Sequence, residues 1–142
     1  MRALLDVNVL IALLDADHAF HQPAWTWFEP NAQSGWASCP ITQNGCIRIM
    51  AHPGYPHSLP VQAVAERLRE ATASELHEFW GDDVTLLDVR AFDLRRVHGP
   101  LQVTDTYLLG LAMRKGGRLV TFDRAVSRDA VARAQTKHLL IL

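Results

Sequence analysis

The sequence predicts an α/β fold: one domain over residues 1–142, three layers (α/β/α), with a central, mainly parallel sheet of about five strands. Three observations predict it. Short apolar runs without polar alternation recur along the chain, as strands covered on both faces require. Between them lie stretches with helical spacing, and strands that alternate with helices imply right-handed crossovers and parallel pairing. The length of 142 residues suits one core, with no internal repeat, low-complexity tract or linker to divide it.

Arg2 to Val7 reads as the first buried strand, and Asn8 to Leu14 as a helix beginning just after Asp6. In the segment from His18 to Asn31, Phe20, Ala24, Trp27 and Phe28 share a helical face, and Pro23 is tolerable in the first turn. Gly35 to Cys39 is the second strand. Pro40 at the first helical position introduces Ile41 to Ala51, and Pro53-Gly-Tyr-Pro56 ends that helix. From Pro60 to Ala71, Val61, Val64, Ala65 and Leu68 oppose Glu66, Arg67, Arg69 and Glu70 on a strongly two-sided helix. Val84 to Asp88 reads as the third strand. Thr104 is placed to cap a helix that runs to Lys115 and stops at Gly116-Gly117. Leu119 to Phe122 and His138 to Leu142 supply the fourth and fifth strands.

Composition narrows the function. Apolar residues at 49% and charged residues at 20% are ordinary for a folded globular chain and exclude disorder. A net charge of −1 means that any nucleic-acid partner is held by a local basic patch. Cys39 and Cys46 alone build neither a zinc site nor a disulfide framework, and suit a reducing compartment as small buried residues. No run approaches the roughly 20 apolar residues of a membrane helix, and Asp6, Asn8 and Asp15 interrupt the apolar N-terminus. A cytoplasmic protein with no membrane attachment is the expectation.

Three aspartates stand where strands end or a helix begins. Asp6 closes the first strand, Asp105 opens the late helix, and Asp123 follows the fourth strand. Each alone has a plain explanation as a helix cap, a dipole partner or a turn former. Together they would meet at the carboxyl edge of a parallel sheet, where residues distant in sequence share one crevice. Clustered carboxylates repel one another, and a divalent cation is the usual reason to gather them.

With those residues in place, the chain resembles the PIN domain, and within it the VapC toxin ribonucleases of bacterial toxin–antitoxin pairs. The similarity rests on Asp6-Val-Asn8-Val-Leu-Ile, Thr42-Gln-Asn44-Gly-Cys-Ile-Arg48-Ile, Thr104-Asp105-Thr-Tyr-Leu and Thr121-Phe-Asp123-Arg124, four motifs in order over nearly the whole chain. The resemblance implies an endoribonuclease dependent on Mg²⁺ or Mn²⁺, whose first, third and fourth acids match Asp6, Asp105 and Asp123. It also implies a small cognate antitoxin that wraps the toxin and inserts a basic residue into the acidic crevice, and a homodimer. The apolar faces of the helices at His18–Asn31 and Pro60–Ala71 are expected to receive that partner.

One position departs from the family. Gln43 stands where the family's second acid, a glutamate, is usual. Glutamine keeps a carbonyl oxygen able to hold a water of the cation's hydration shell but loses a full charge, so affinity for a second metal falls most. Retained activity is the favoured expectation, with a catalytically weakened module that binds RNA or a protein partner as the alternative. A phosphohydrolase of the haloacid dehalogenase type fits less well, because Asp6-Val-Asn8 replaces Asp-x-Asp and no matching later lysine stands out.

Asp6 is expected as the central metal ligand, because the end of the first strand usually lies mid-sheet, with Asp105 and Asp123 completing the set. Asn8 and Thr121 are candidates to orient those carboxylates by hydrogen bonds. Asn44 and Arg48 lie on the helix of Gln43. For Arg48 an internal pair with one of the acids stands ahead of phosphate binding. Arg114, Lys115 and Arg124 are the candidates for an RNA-facing patch. His18 with His21 read as surface or capping residues, His52 and His57 flank the Pro53–Pro56 turn and could reach substrate on position alone, and Trp25, Trp27 and Phe28 read as core or as a partner-binding groove.

Overall fold

The computed structural model describes residues 1–142. Five strands, β1 (Ala3–Leu5), β2 (Trp36–Ser38), β3 (His77–Phe79), β4 (Arg118–Thr121) and β5 (Leu139–Ile141), form one sheet in the order β3-β2-β1-β4-β5. Every pairing is parallel. Parallel neighbours cannot be joined by tight turns, so helices α1 (Val7–Leu14), α2 (His21–Asn31), α3 (Pro40–Met50), α4 (Val61–Thr72) and α5 (Val103–Arg114) supply all the crossovers but the last, where a loop over residues 122–138 joins β4 to β5. β1 is the central strand, and the end of β1 is where Asp6 sits.

The pleat divides the core in two. Leu4, Ala37 and Leu119 face one side, where they meet Tyr107, Leu108, Leu111 and Ala112 of α5 together with Trp80 and Phe92. Ala3, Leu5, Trp36 and Val120 face the other, against Val9 and Leu10 of α1, Cys46 and Met50 of α3, and Val64 and Leu68 of α4. Both cysteines are free and buried. Buried on both faces, the central strands have no polar alternation, which is why they read as continuous apolar runs.

Several boundaries differ from the sequence expectation, each for a local reason. Val84 to Asp88 is not a strand. It turns at Thr85–Asp88, with Val84 and Leu86 packed on the α5 side of the core and Leu87 left 82% exposed. The third strand is His77–Phe79, a polar edge strand that needs only its backbone to pair with β2. α2 starts at His21 because the chain turns at His18 to Phe20, where His18 Nδ1 accepts from the Phe20 N–H. Thr104 lies inside α5 and not at its cap, which is Gln102. Gly116 takes φ +72°, the left-handed conformation that ends α5.

One glycine places the site directly. A Cβ on Gly45 of α3 would stand 2.7 Å from Val7 Cγ2, so only glycine lets α3 lie this close to the start of α1. That approach brings the Gln43 turn of α3 toward the end of β1.

Candidate active site

Asp6 is buried where β1 passes into α1. Its Oδ1 accepts the Val7 N–H at 2.7 Å, so the plain reading of Asp6 as a helix cap is also correct. Its Oδ2 accepts the Thr121 hydroxyl at 2.7 Å, across from the end of β4. Thr121 is fully buried and serves as a hub. Its Oγ1 donates to Asp6 while accepting the Asn8 Nδ2–H at 3.2 Å and the Asp123 N–H at 3.0 Å. Asn8 Oδ1 accepts the Phe122 N–H at 3.1 Å, which ties α1 to the chain leaving β4. Thr121 thus holds the Asp6 carboxylate directly, and Asn8 braces Thr121 without touching Asp6.

The three aspartates grade from buried to exposed. Burial pushes the Asp6 carboxyl above its ordinary range, opposed by the Thr121 and Val7 hydrogen bonds and reinforced by Asp123. Asp105, half-buried in the first turn of α5, is pushed up to about 6, by burial first and then by the charges of Asp6 and Asp123. Asp123 is exposed, and its Oδ1 accepts the Ala125 N–H at 2.7 Å, capping the turn after β4. None of the three joins an ion pair; the ion pairs use Asp83, Asp88, Asp93 and Glu78. The acids feel one another without a protein cation between them, and such a set of hard oxygen donors suits a hard divalent cation. No three His, Cys, Asp or Glu side chains are grouped closely enough to cage one, so the set fits a cation held by one or two carboxylates with water completing its shell.

Gln43 is partly buried on α3, and its amide Nε2 donates to Ser38 Oγ at 3.0 Å, not to an aspartate. Arg48 does not pair with a site acid. It is exposed in a shallow hollow with Asn44, Ile47 and His52, because five residues beyond Gln43 the helix has turned it outward. Asn44 is exposed beside it. Arg114 and Lys115 are likewise away from the acids. They end the helix that Asp105 begins, and nine residues at 1.5 Å of rise separate Arg114 from Asp105 by about 13 Å. Lys115 Nζ is engaged by Asp83 at 2.8 Å. Arg124 alone of those three cations is exposed next to a site acid.

Three further features stand near these residues. Ser38 and His77 form a hydrogen-bonded pair behind Gln43, at 2.8 Å. Phe122, between Thr121 and Asp123, stacks on Phe20 with ring centroids 4.9 Å apart and planes 20° apart, and Phe20 is 49% exposed. An apolar cavity of about 220 Å³ lies between α1, α2 and α4, lined among others by Leu10, Leu14, Trp25, Phe28, Leu68 and Leu76. The first had no motif to reveal it, while the aromatics of α2 had pointed toward the third. His21 serves as a capping residue, its Nδ1 meeting the Ala12 carbonyl, and His52 turns back on its own loop, its Nδ1 accepting the Gly54 N–H.

Comparison with known proteins adds three findings. A family model described as PIN domain matches residues 3–131. Ribonuclease VapC44 of Mycobacterium tuberculosis is 49% identical over 142 residues, covering 100% of both chains, and Ribonuclease VapC39 of the same organism is 44% identical over 133 residues, covering 93% of this chain and 96% of that one. A crystal structure of VapBC2 from Rickettsia felis, bound to a DNA fragment from their promoter, superposes with TM-score 0.56 at 14% identity over 87% of this chain and 89% of that one, a likeness of fold.

Proposed function

The chain belongs to the PIN-domain family of VapC ribonucleases, and from that premise we propose that it is a metal-dependent endoribonuclease acting as the toxin of a toxin–antitoxin pair. The observation that carries the reading is the unneutralised acid set: Asp6 held by Thr121 and Val7, with Asp105 driven up by Asp6 and Asp123. Mg²⁺ or Mn²⁺ bound there would neutralise charge on the scissile phosphate and lower the pKa of a water. Asp6 is the ligand whose position is best fixed, with Asp105 and Asp123 contributing directly or through water. Asn8 and Thr121 keep the Asp6 oxygens aimed, and Gln43 offers a carbonyl oxygen to hold and orient the attacking water. Arg124 and the exposed Phe20–Phe122 stack would receive the RNA, by phosphate contact and base stacking respectively.

The apolar cavity between α1, α2 and α4 is the proposed seat of the cognate antitoxin. Its lining is almost wholly hydrophobic and includes Trp25, an anchor residue type at interfaces. A homodimer would cover Leu101 and Val103, exposed at 92% and 40% at the start of α5. No helix is long and apolar enough to cross a membrane, and the two free, buried cysteines suit the cytoplasm.

The test is RNA cleavage by protein freed of its partner, with Mg²⁺ or Mn²⁺ and with chelator, beside Asp6→Asn. Cleavage should require metal and vanish in the variant. The second reading, a weakened module that binds RNA or protein without cutting, draws on Gln43 in place of the family's glutamate. An absence of Mn²⁺ binding by calorimetry would favour it.

A further inference from the structure

Gln43 is not left to find its own orientation. Its amide nitrogen lies 3.0 Å from Ser38 Oγ, and Ser38 Oγ lies 2.8 Å from His77 Nε2. Ser38 is fully buried at the end of β2, so its hydroxyl has these two partners and no water to replace them. His77 is half-buried on the neighbouring strand and shares the sheet face of Ser38, since His77 pairs with Trp36 two residues before it.

An amide side chain is nearly symmetric in shape, so the hydrogen-bond chain decides which end faces which way. The order is set from the Gln43 end. Gln43 Nε2 donates to Ser38 Oγ, which leaves the hydroxyl hydrogen of Ser38 for His77 Nε2. With Nε2 accepting, the ring carries its own proton on Nδ1. Burial, and then the nearby Arg2 guanidinium, hold the imidazole below its ordinary pKa against the Thr72 backbone and Glu78, which favours the neutral ring. A neutral ring protonated at Nδ1 can only accept at Nε2, so Ser38 gives its single hydroxyl hydrogen to His77 and its oxygen accepts. The NH₂ end of Gln43 fills that place, which leaves the carbonyl end on the opposite side of the amide.

We propose that Ser38 and His77 are positioning residues that fix the polarity of the Gln43 amide, turning its nitrogen toward β2 and its carbonyl oxygen toward the acidic crevice. The chain of partners fits glutamine specifically. A glutamate at 43 accepts only, so Ser38 would have to donate to it and His77 would have to donate to Ser38 from Nε2. The pair is thereby matched to the residue that departs from the family's usual acid. The inference rests on the nuclease reading for its consequence in catalysis, but not for its geometry.

Two measurements test it. ¹⁵N chemical shifts of the His77 ring, in the full chain without metal at pH 7.5, should report a protonated Nδ1 and an unprotonated Nε2, and Gln43→Glu should place a proton on Nε2. A proton on Nε2 in the unaltered protein, or a ring pattern indifferent to Gln43→Glu, overturns the proposal. In cleavage assays Ser38→Ala should lower kcat about tenfold with KM unchanged, the low end of the effect of losing an outer hydrogen-bonding partner. Ser38→Thr should restore it, because the added methyl meets the apolar cavity that Ser38 also lines. An unaltered kcat in a folded Ser38→Ala protein refutes the positioning role. If the unaltered protein cuts no RNA under any metal condition, the nuclease reading falls, and the ring shifts still decide the relay.

Discussion

The acidic cluster and the apolar cavity are both built against β1, yet what each leaves unsatisfied is of an opposite kind. At the ends of β1 and β4, polar groups are nearly all committed: Thr121 serves three partners and Asn8 two, and what stays uncommitted is negative charge on Asp105 and Asp123. Between α1, α2 and α4, uncommitted apolar surface remains, with Trp25 40% exposed at its rim. The first is incomplete electrostatically and the second hydrophobically, and under the proposed function the one would take a cation with phosphate and the other an apolar protein segment. Ser38 belongs to both, since it lines the cavity and holds Gln43.

If the two hollows are separate functions on one scaffold, they break separately. Asp6→Asn should reduce RNA cleavage at least about a thousandfold, roughly 4 kcal/mol of transition-state stabilisation. Asn keeps one acceptor oxygen for the Val7 N–H but presents an NH₂ to the Thr121 hydroxyl, so the melting temperature should fall by the equivalent of about 1 kcal/mol while antitoxin binding holds. A variant that kept cleavage would dissolve the assignment of the crevice. The converse change, Trp25→Ala, should weaken antitoxin binding by about 2 kcal/mol, some 30-fold, with cleavage untouched. Binding unchanged in a titration with the purified antitoxin would remove the cavity from the interface.

A smaller effect sharpens the electrostatic half. Gln43→Glu adds a carboxylate to a site that cannot cage a cation with three, and Mn²⁺ affinity by calorimetry should rise about tenfold, near 1.4 kcal/mol. An unchanged affinity would mean that position 43 does not look into the crevice at all.

The two hollows also differ in how far they could be read from sequence. The places of Asp6 and Asp123 at strand ends were legible because a carboxylate right after an apolar β run has few places to go in a parallel sheet, and Asn8 and Thr121, read as their neighbours, hydrogen-bond to each other there. Trp25 and Phe28 suggested a groove through helical periodicity alone. What failed depends on which way an element faces. Arg114 and Lys115 lie near Asp105 in sequence, but at the opposite end of its helix, and Arg48 turned outward where an inward pair was expected. Strand β3 was missed because an edge strand such as His77-Glu-Phe79 pairs through its backbone and carries no apolar run, while Val84 to Leu87 has strand-like residues serving as a cover for α5. Missing β3 concealed His77, and with it the hydrogen bonds behind Gln43.

The smallest expected effect probes the charge that the crevice stores. The Asp105 carboxyl stands at about 6 in the fold against 3.8 in a free chain, so between those pH values the native state holds a proton that the unfolded state has released. Stability from this group therefore falls as pH rises from about 4 to 6, and above about 6 the full penalty is present. Asp105→Asn removes it. The metal-free variant should be more stable than the unaltered protein at pH 7.5, by about 1 kcal/mol once solvent screening of a half-buried carboxylate is allowed for, and the gain should vanish below pH 4. Added Mg²⁺ should reverse the ranking, because the cation stabilises the unaltered protein by mass action and has lost one of its charges in the variant. Thermal melts at both pH values, with and without Mg²⁺, give the comparison. A variant no more stable than its parent at pH 7.5 would mean that the repulsion among Asp6, Asp105 and Asp123 is relieved without any cation, and the crevice would lose its claim to be electrostatically incomplete.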